Sequence, residues 1–143
     1  MIVRDIMTRD VEVIHPDSAI QEAAGKMAQL DVGSLPVCDN RRLIGVVTDR
    51  DIAVRAVAEG LDPKTTKVSA AMTPELIYCF EDEGVQEAVK LMQRYQIRRL
   101  PILNREKQLV GIVALGDLAT DIGNERLSGR VLEEVSEPSE PNR

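Results

Sequence analysis

The sequence predicts an α+β fold of two repeats, each strand–helix–strand–strand–helix. The repeats are expected to be related by a pseudo-twofold axis, with their sheets packed together and the helices outside. Three observations predict it. The chain matches itself when shifted by 65 residues, each copy carries one stretch with helical apolar spacing, and short β-rich stretches flank that helix.

The self-match pairs Val3 with Val68, Met7 with Met72, Thr8 with Thr73 and Asp17 with Asp82. Gln21, Glu22 and Ala23 then meet Gln86, Glu87 and Ala88, while Met27 meets Met92 and Pro36 meets Pro101. One extra residue in the turn ("DNRR" against "NREKQ") moves the shift to 66. Beyond it Leu43, Gly45, Val47, Asp51 and Ala53 meet Leu109, Gly111, Val113, Asp117 and Ala119. These matches divide the chain into a first repeat over 1–60, a linker over 61–67 and a second repeat over 68–125. A short helix and a frayed acidic tail are expected over 126–143.

Within the first copy "VEVI" reads as a short strand, and "LIYCF" is its counterpart in the second. "DSAIQEAAGKMAQL" places Ile20, Ala23, Ala24, Met27 and Leu30 on one helix face. Asp17 or Ser18 is the expected cap, with Gln21 completing a capping box from Ser18. "SLPVCD" and "LIGVVT" read as two strands joined by the polar turn Asp39–Arg42. "DIAVRAVAEG" reads as a second helix stopped by Gly60. A unit near 60 residues buries proportionately little apolar surface, so two copies sharing one core form the expected folding unit.

Composition narrows the function. The chain has 143 residues, a net charge of −6 and 2% aromatic residues. An acidic chain with few aromatic platforms is a poor nucleic-acid binder. No stretch of about 18 apolar residues is present, so no membrane span is expected. Charges at Arg4, Asp5, Arg9 and Asp10 do not fit a secretory signal. Cys38 and Cys79 lie inside apolar stretches and His15 is the only histidine, so buried reduced thiols in a cytoplasmic protein are expected and no metal site. The chain offers no catalytic triad and no glycine-rich phosphate loop; a non-enzymatic role is expected.

"GVVTDRD" and "GIVALGD" remain the most informative stretches. Thr48 and Asp51 stand where a strand runs into a helix, the spacing of a capping box. The same geometry offers an anion helical N–H groups, with a hydroxyl to donate to phosphate and a carboxylate to accept from ribose hydroxyls. In the second copy Ala114 replaces the threonine while Asp117 keeps the carboxylate. Arg98 and Arg99 suit phosphate, or solvent at a helix end; their first-copy equivalents are Gly33 and Ser34.

Taken together, "DIMT" and "AAMT", "PDSAIQEA" and "EDEGVQEA", "SLPV" and "RLPI", then "GVVTDRD" and "GIVALGD", resemble a tandem CBS-domain pair, or Bateman module, over about residues 3–123. The small size, "TDRDI" and "AEGLDP" look most like stand-alone bacterial pairs of the hypoxic-response type. The resemblance implies a regulatory sensor of an adenosine-containing ligand such as AMP, ADP or ATP. It groups Val46, Thr48 and Asp51 with Leu76, Ile77, Ile97 and Arg98 in one cleft. The reciprocal cleft takes Ile112 and Asp117 with Val11, Glu12 and Val32, and Arg98 or Arg99 near phosphate. It further implies a homodimer with no cofactor required; regulation is expected to act through a separate effector protein or through the tail after Gly123. The alternative is a ligand-free dimerisation or interaction module. Unequal clefts are expected, with nucleotide preferred at Thr48 and Asp51.

Overall fold

The computed structural model describes residues 1–74 and 76–121. It divides into two compact units, Glu12–Leu76 and Met1–Val11 with the described residues from Ile77 onward. These units do not follow the order of the repeats. The opening stretch of the first repeat joins the body of the second, and the opening stretch of the second joins the body of the first. Val3 and Val68, equivalent in sequence, are both fully buried, each in the unit of the other repeat.

In the Glu12–Leu76 unit, α1 runs Ile20–Leu30 and buries Ile20, Ala23 and Met27. Its apolar face is narrower than the spacing predicts, because Leu30 is 41% exposed and Ala24 is exposed. The predicted Ser18 capping box is also corrected. Ala19 is the cap residue and makes no side-chain cap bond. The linker takes over: the Ile20 and Gln21 N–H groups donate to the carbonyls of Thr66 (3.0 Å) and Pro63 (3.1 Å).

Strands β1 (Ser34–Asp39) and β2 (Arg42–Thr48) form the predicted antiparallel hairpin, with Asn40 in the left-handed region at its turn. The "VEVI" strand shrinks to one parallel bridge, Ile14 with Val37. Proline explains this. In the other unit β3 (Cys79–Phe80) runs parallel to β4 (Arg99–Leu103), and the Glu81 N–H extends the ladder to the Leu103 carbonyl at 2.9 Å. Pro16 is the equivalent of Glu81 and has no N–H to give.

After β2 the chain makes one α-helical turn, α2 (Asp49–Asp51), and then winds as a π-helix over Ile52–Val57. The sequence predicts an ordinary helix here; the structure instead closes Ala58 N–H onto the Ala53 carbonyl, five residues back. The short helix α3 (Val68–Ala71) completes this unit.

The other unit starts with a 3₁₀ turn at Val3–Asp5, the counterpart of α3. Helix α4 (Val85–Tyr95) buries Val85, Ala88, Val89 and Met92. Strand β5 (Leu109–Ala114) pairs antiparallel with β4, and α5 (Leu115–Asp121) follows directly. The extra residue of the second turn is absorbed by Asn104, whose side-chain oxygen accepts from the Glu106 and Gln108 N–H groups. The cores of both units are built from aliphatic side chains and methionine, with Cys79 in one of them, in keeping with the low aromatic content. The expected helix and tail beyond residue 125 lie outside the described residues. No helix among the described residues is long and apolar enough to cross a membrane.

The free edges of β2 and β5 are covered in the same way. Val46 and Thr73 exchange main-chain hydrogen bonds of 3.0 and 2.8 Å; Ile112 and Thr8 exchange bonds of 2.9 and 2.8 Å. Glycine permits both approaches. A Cβ on Gly45 would stand 2.8 Å from the Thr73 carbonyl oxygen, and one on Gly111 would stand 2.9 Å from that of Thr8.

Candidate functional site

Strand β2 ends at Thr48 in extended conformation and the chain turns at once into α2. The capping box forms in full: the Thr48 hydroxyl accepts from the Asp51 N–H at 3.0 Å, and the Asp51 carboxylate accepts from the Thr48 N–H at 2.9 Å. The carboxylate has more partners. The Thr73 hydroxyl lies 3.4 and 3.5 Å from its two oxygens, and the Arg55 guanidinium lies 3.8 Å from Oδ1. Arg55 also donates to the Met72 carbonyl at 3.2 Å. The Asp51 side chain keeps 13% of its surface exposed.

The second motif reproduces half of this. The Asp117 carboxylate accepts from the Ala114 N–H at 2.9 Å and lies 3.4 and 3.5 Å from the Thr8 hydroxyl. Ala114 offers no hydroxyl, so the reciprocal bond is missing. Both carboxylates therefore hold one geometry, but only the first stands beside a hydroxyl of its own motif.

The surroundings of the two motifs differ in charge. Asp49 N–H donates to the Gly33 carbonyl at 2.9 Å, and a Cβ on Gly33 would stand 3.1 Å from the Asp49 carboxylate. At the equivalent corner Leu115 N–H donates to the Arg98 carbonyl at 3.2 Å, and Arg99 pairs with Ala114. The first corner thus carries Asp49, Arg50 and Asp51, whereas the second carries Arg98, Arg99 and Asp117. The arginines are exposed.

The predicted site residues distribute over both units. Val32, Val46, Thr48, Asp51 and Leu76, with Glu12, belong to Glu12–Leu76; Val11, Ile77, Ile97, Arg98, Arg99, Ile112 and Asp117 belong to the other. The structure brings Thr48 to Asp51 directly and sets Arg98 and Arg99 beside the Ala114 turn. Val32, Ile77 and Ile97 are half-buried against their units' cores, and Ile112 is 4% exposed. Sequence reasoning missed Thr8, Thr73 and Arg55 as carboxylate partners. The recurring Met-Thr of "DIMT" and "AAMT" was the available signal.

His15 lies between acidic neighbours, 3.6 Å from Asp39 and 3.9 Å from Asp17. Both cysteines are buried and free. Burial pushes the Cys38 thiol up to about 11, and burial together with Glu83 pushes Cys79 up to about 12. A raised folded pKa means that the thiol form favours the native state. That stability is fully present below the ordinary value of 9.0 and declines as pH rises through the folded values. Two outcomes are expected: native protein alkylates slowly with iodoacetamide at pH 8, and urea midpoints fall between pH 9 and 11. Rapid alkylation of folded protein would contradict the assignment.

Among the described residues, no group of three or more His, Cys, Asp and Glu side chains is arranged to hold a metal ion.

Known proteins share this architecture. The CBS-domain family model matches residues 3–57 and 68–124. The CBS domain-containing protein YhcV of Bacillus subtilis is 44% identical over 134 residues, 94% of each chain. Hypoxic response protein 1 of Mycobacterium tuberculosis is 38% identical over 117 residues, 81% of each chain. Among solved structures, Hypoxic Response Protein I with two coordinated zinc ions has a TM-score of 0.75 at 36% identity, over 83% of this chain and 97% of that one. CBSX2 in complex with AMP has a TM-score of 0.73 at 29% identity, over 86% and 98%. Two family matches, one on each repeat, account for the self-similarity, the recurring hairpin and the duplicated turn, and the chain belongs to the CBS-domain family as a tandem pair of the kind that serves as a regulatory module.

Proposed function

We propose that this protein is a non-catalytic sensor that binds an adenosine-containing ligand (AMP, ADP or ATP) and signals as a homodimer or through a separate effector protein. The reading is carried by the duplicated carboxylate. Asp51 and Asp117 are each fixed by a main-chain N–H at 2.9 Å and by a threonine hydroxyl, and lone pairs remain to accept from paired ribose hydroxyls. The AMP complex of CBSX2, a structural neighbour, supports the ligand class.

The first site is the preferred one. Thr48 accepts one bond in the cap, and its hydroxyl hydrogen is available to a phosphate oxygen. The resemblance to CBS pairs assigns Val46, Leu76, Ile77 and Ile97 to adenine and Arg98 to phosphate, and that resemblance is what supports the assignment. The reciprocal assignment of Val11, Val32, Ile112 and Asp117 rests on the same resemblance; its motif has Ala114 in place of the threonine, with Arg99 paired to Ala114. A charge-assisted hydrogen bond to phosphate contributes about 1.5–3 kcal/mol, or more than tenfold in affinity.

A second reading, a ligand-free interaction module, is favoured by one observation: Thr48 and Asp51 already satisfy each other as a complete helix cap. Thermal unfolding separates the two readings. AMP at about one hundred times its dissociation constant stabilises a single-site binder by about 2.7 kcal/mol, so the transition is expected to rise. Absence of any rise with AMP, ADP and ATP would favour the interaction module.

A further inference from the structure

The two lead-in threonines are the feature of the molecule that neither the helix cap nor the ligand reading requires. Thr8 and Thr73 are equivalent by the shift of 65, and each sits on the same element of its unit. Each pins its backbone to the edge strand with a reciprocal pair of main-chain bonds and directs its hydroxyl at the site carboxylate. The donor–acceptor distances are the same in both units, 3.4 and 3.5 Å to the two oxygens. The second unit matters here because Thr48 and Arg55 have no counterparts there: their equivalents are Ala114 and Asp121. The threonine contact recurs where the Thr48 hydroxyl is absent and where Arg55, the other side-chain partner of the Asp51 carboxylate, is replaced by an acidic residue.

We infer that Thr73 and Thr8 are positioning residues, which orient the Asp51 and Asp117 carboxylates from segments that lead into the opposite repeats. A carboxylate on a short side chain rotates about χ2 unless both oxygens are engaged. The main-chain N–H of Thr48 or Ala114 holds one oxygen, Oδ2, and the threonine hydroxyl spans both. The outward lone pairs are thereby set for a ligand before it arrives, which reduces the ordering cost of binding. The assignment of those lone pairs to ribose hydroxyls rests on the ligand reading above; the orienting role does not. The exchange of segments has a further consequence. A substitution at Thr8, in the opening stretch of the first repeat, acts on the carboxylate of the second.

Amide hydrogen exchange of the full chain, read by NMR without ligand, tests this. In Thr73→Val the Thr48 amide is expected to exchange about fivefold faster, since its acceptor is no longer held, while the Val46 and Thr73 bridge amides keep their protection. Thr73→Ser, which keeps the hydroxyl, is expected to restore the Thr48 amide. In Thr8→Val the Ala114 amide reports in the same way. An unchanged Thr48 amide in Thr73→Val, or a uniform rise across every amide of the unit, would overturn the inference, because the threonine would then serve only packing. AMP titration of the same variants adds the ligand test: a weaker AMP complex with an unchanged complex of 2′,3′-dideoxyadenosine monophosphate is expected. A wild-type protein that takes no AMP would overturn the ligand reading and leave the exchange result to decide the positioning role.

Discussion

Gly111→Ala is expected to lower the stability of the protein by about 2–3 kcal/mol, and Gly45→Ala by a similar amount, as overpacking of a close-packed contact does. The cause is local. A Cβ on Gly111 would stand 2.6 Å from the Met7 sulfur and 2.9 Å from the Thr8 carbonyl oxygen; on Gly45 it would stand 2.9 Å from the Met72 sulfur and 2.8 Å from the Thr73 oxygen. The methionine can swing aside, but the backbone oxygen is fixed by its bond to the strand. Relief therefore requires the lead-in segment to lift and the paired main-chain bonds to stretch. Gly25→Ala is the control, because it lies within α1 with nothing near its missing Cβ. It is expected to gain about 0.5–1 kcal/mol from helix propensity. Urea unfolding of the three variants checks the set. Loss of stability at Gly25 with none at Gly45 or Gly111 would refute the close-approach account.

Asp51→Ala is expected to abolish measurable nucleotide binding while the protein stays folded. Two effects combine. The Thr48 N–H loses its acceptor, which costs about 1–2 kcal/mol of stability by analogy with lost helix caps. The ligand loses the acceptor for its ribose hydroxyls, and more than tenfold of affinity goes with a charge-assisted bond of this kind. Asp51→Asn separates them, since the amide oxygen still caps Thr48 but carries no charge. Thr48→Ala completes the set: about 1 kcal/mol of stability is lost, with weaker binding of AMP than of adenosine. Stability is read by urea unfolding and affinity by calorimetry. Unchanged AMP binding in Asp51→Ala would remove this residue from the site and leave it as a helix cap alone.

The repeats, the hairpins and the duplicated turn could be read from the chain because they rest on local pattern. Apolar period, turn residues and the Thr48-x-x-Asp51 spacing are all properties of short stretches. What could not be read depends on pairing across distance. Pro16 shortens its strand only because the missing N–H would have faced a β1 carbonyl. Ser18 yields the capping of α1 to Pro63 and Thr66, whose carbonyls arrive from the linker. The π-helical winding of Ile52–Val57 has no counterpart in the apolar period of those residues. At the site, sequence found the carboxylates and the Thr48 hydroxyl but not the Thr73 and Thr8 hydroxyls. Those come from stretches that sequence order assigns to the other repeat. The Asp49 carboxylate beside Gly33 was hidden for a different reason: Gly33 has no side chain to suggest a contact.

The central claim is tested most directly by isothermal titration of the purified chain with AMP, recording heat and stoichiometry. The account predicts saturable binding near one AMP per chain, lost in Asp51→Ala and retained in Asp117→Ala. Absence of heat with AMP, ADP and ATP, or equal binding at two sites per chain, would contradict it.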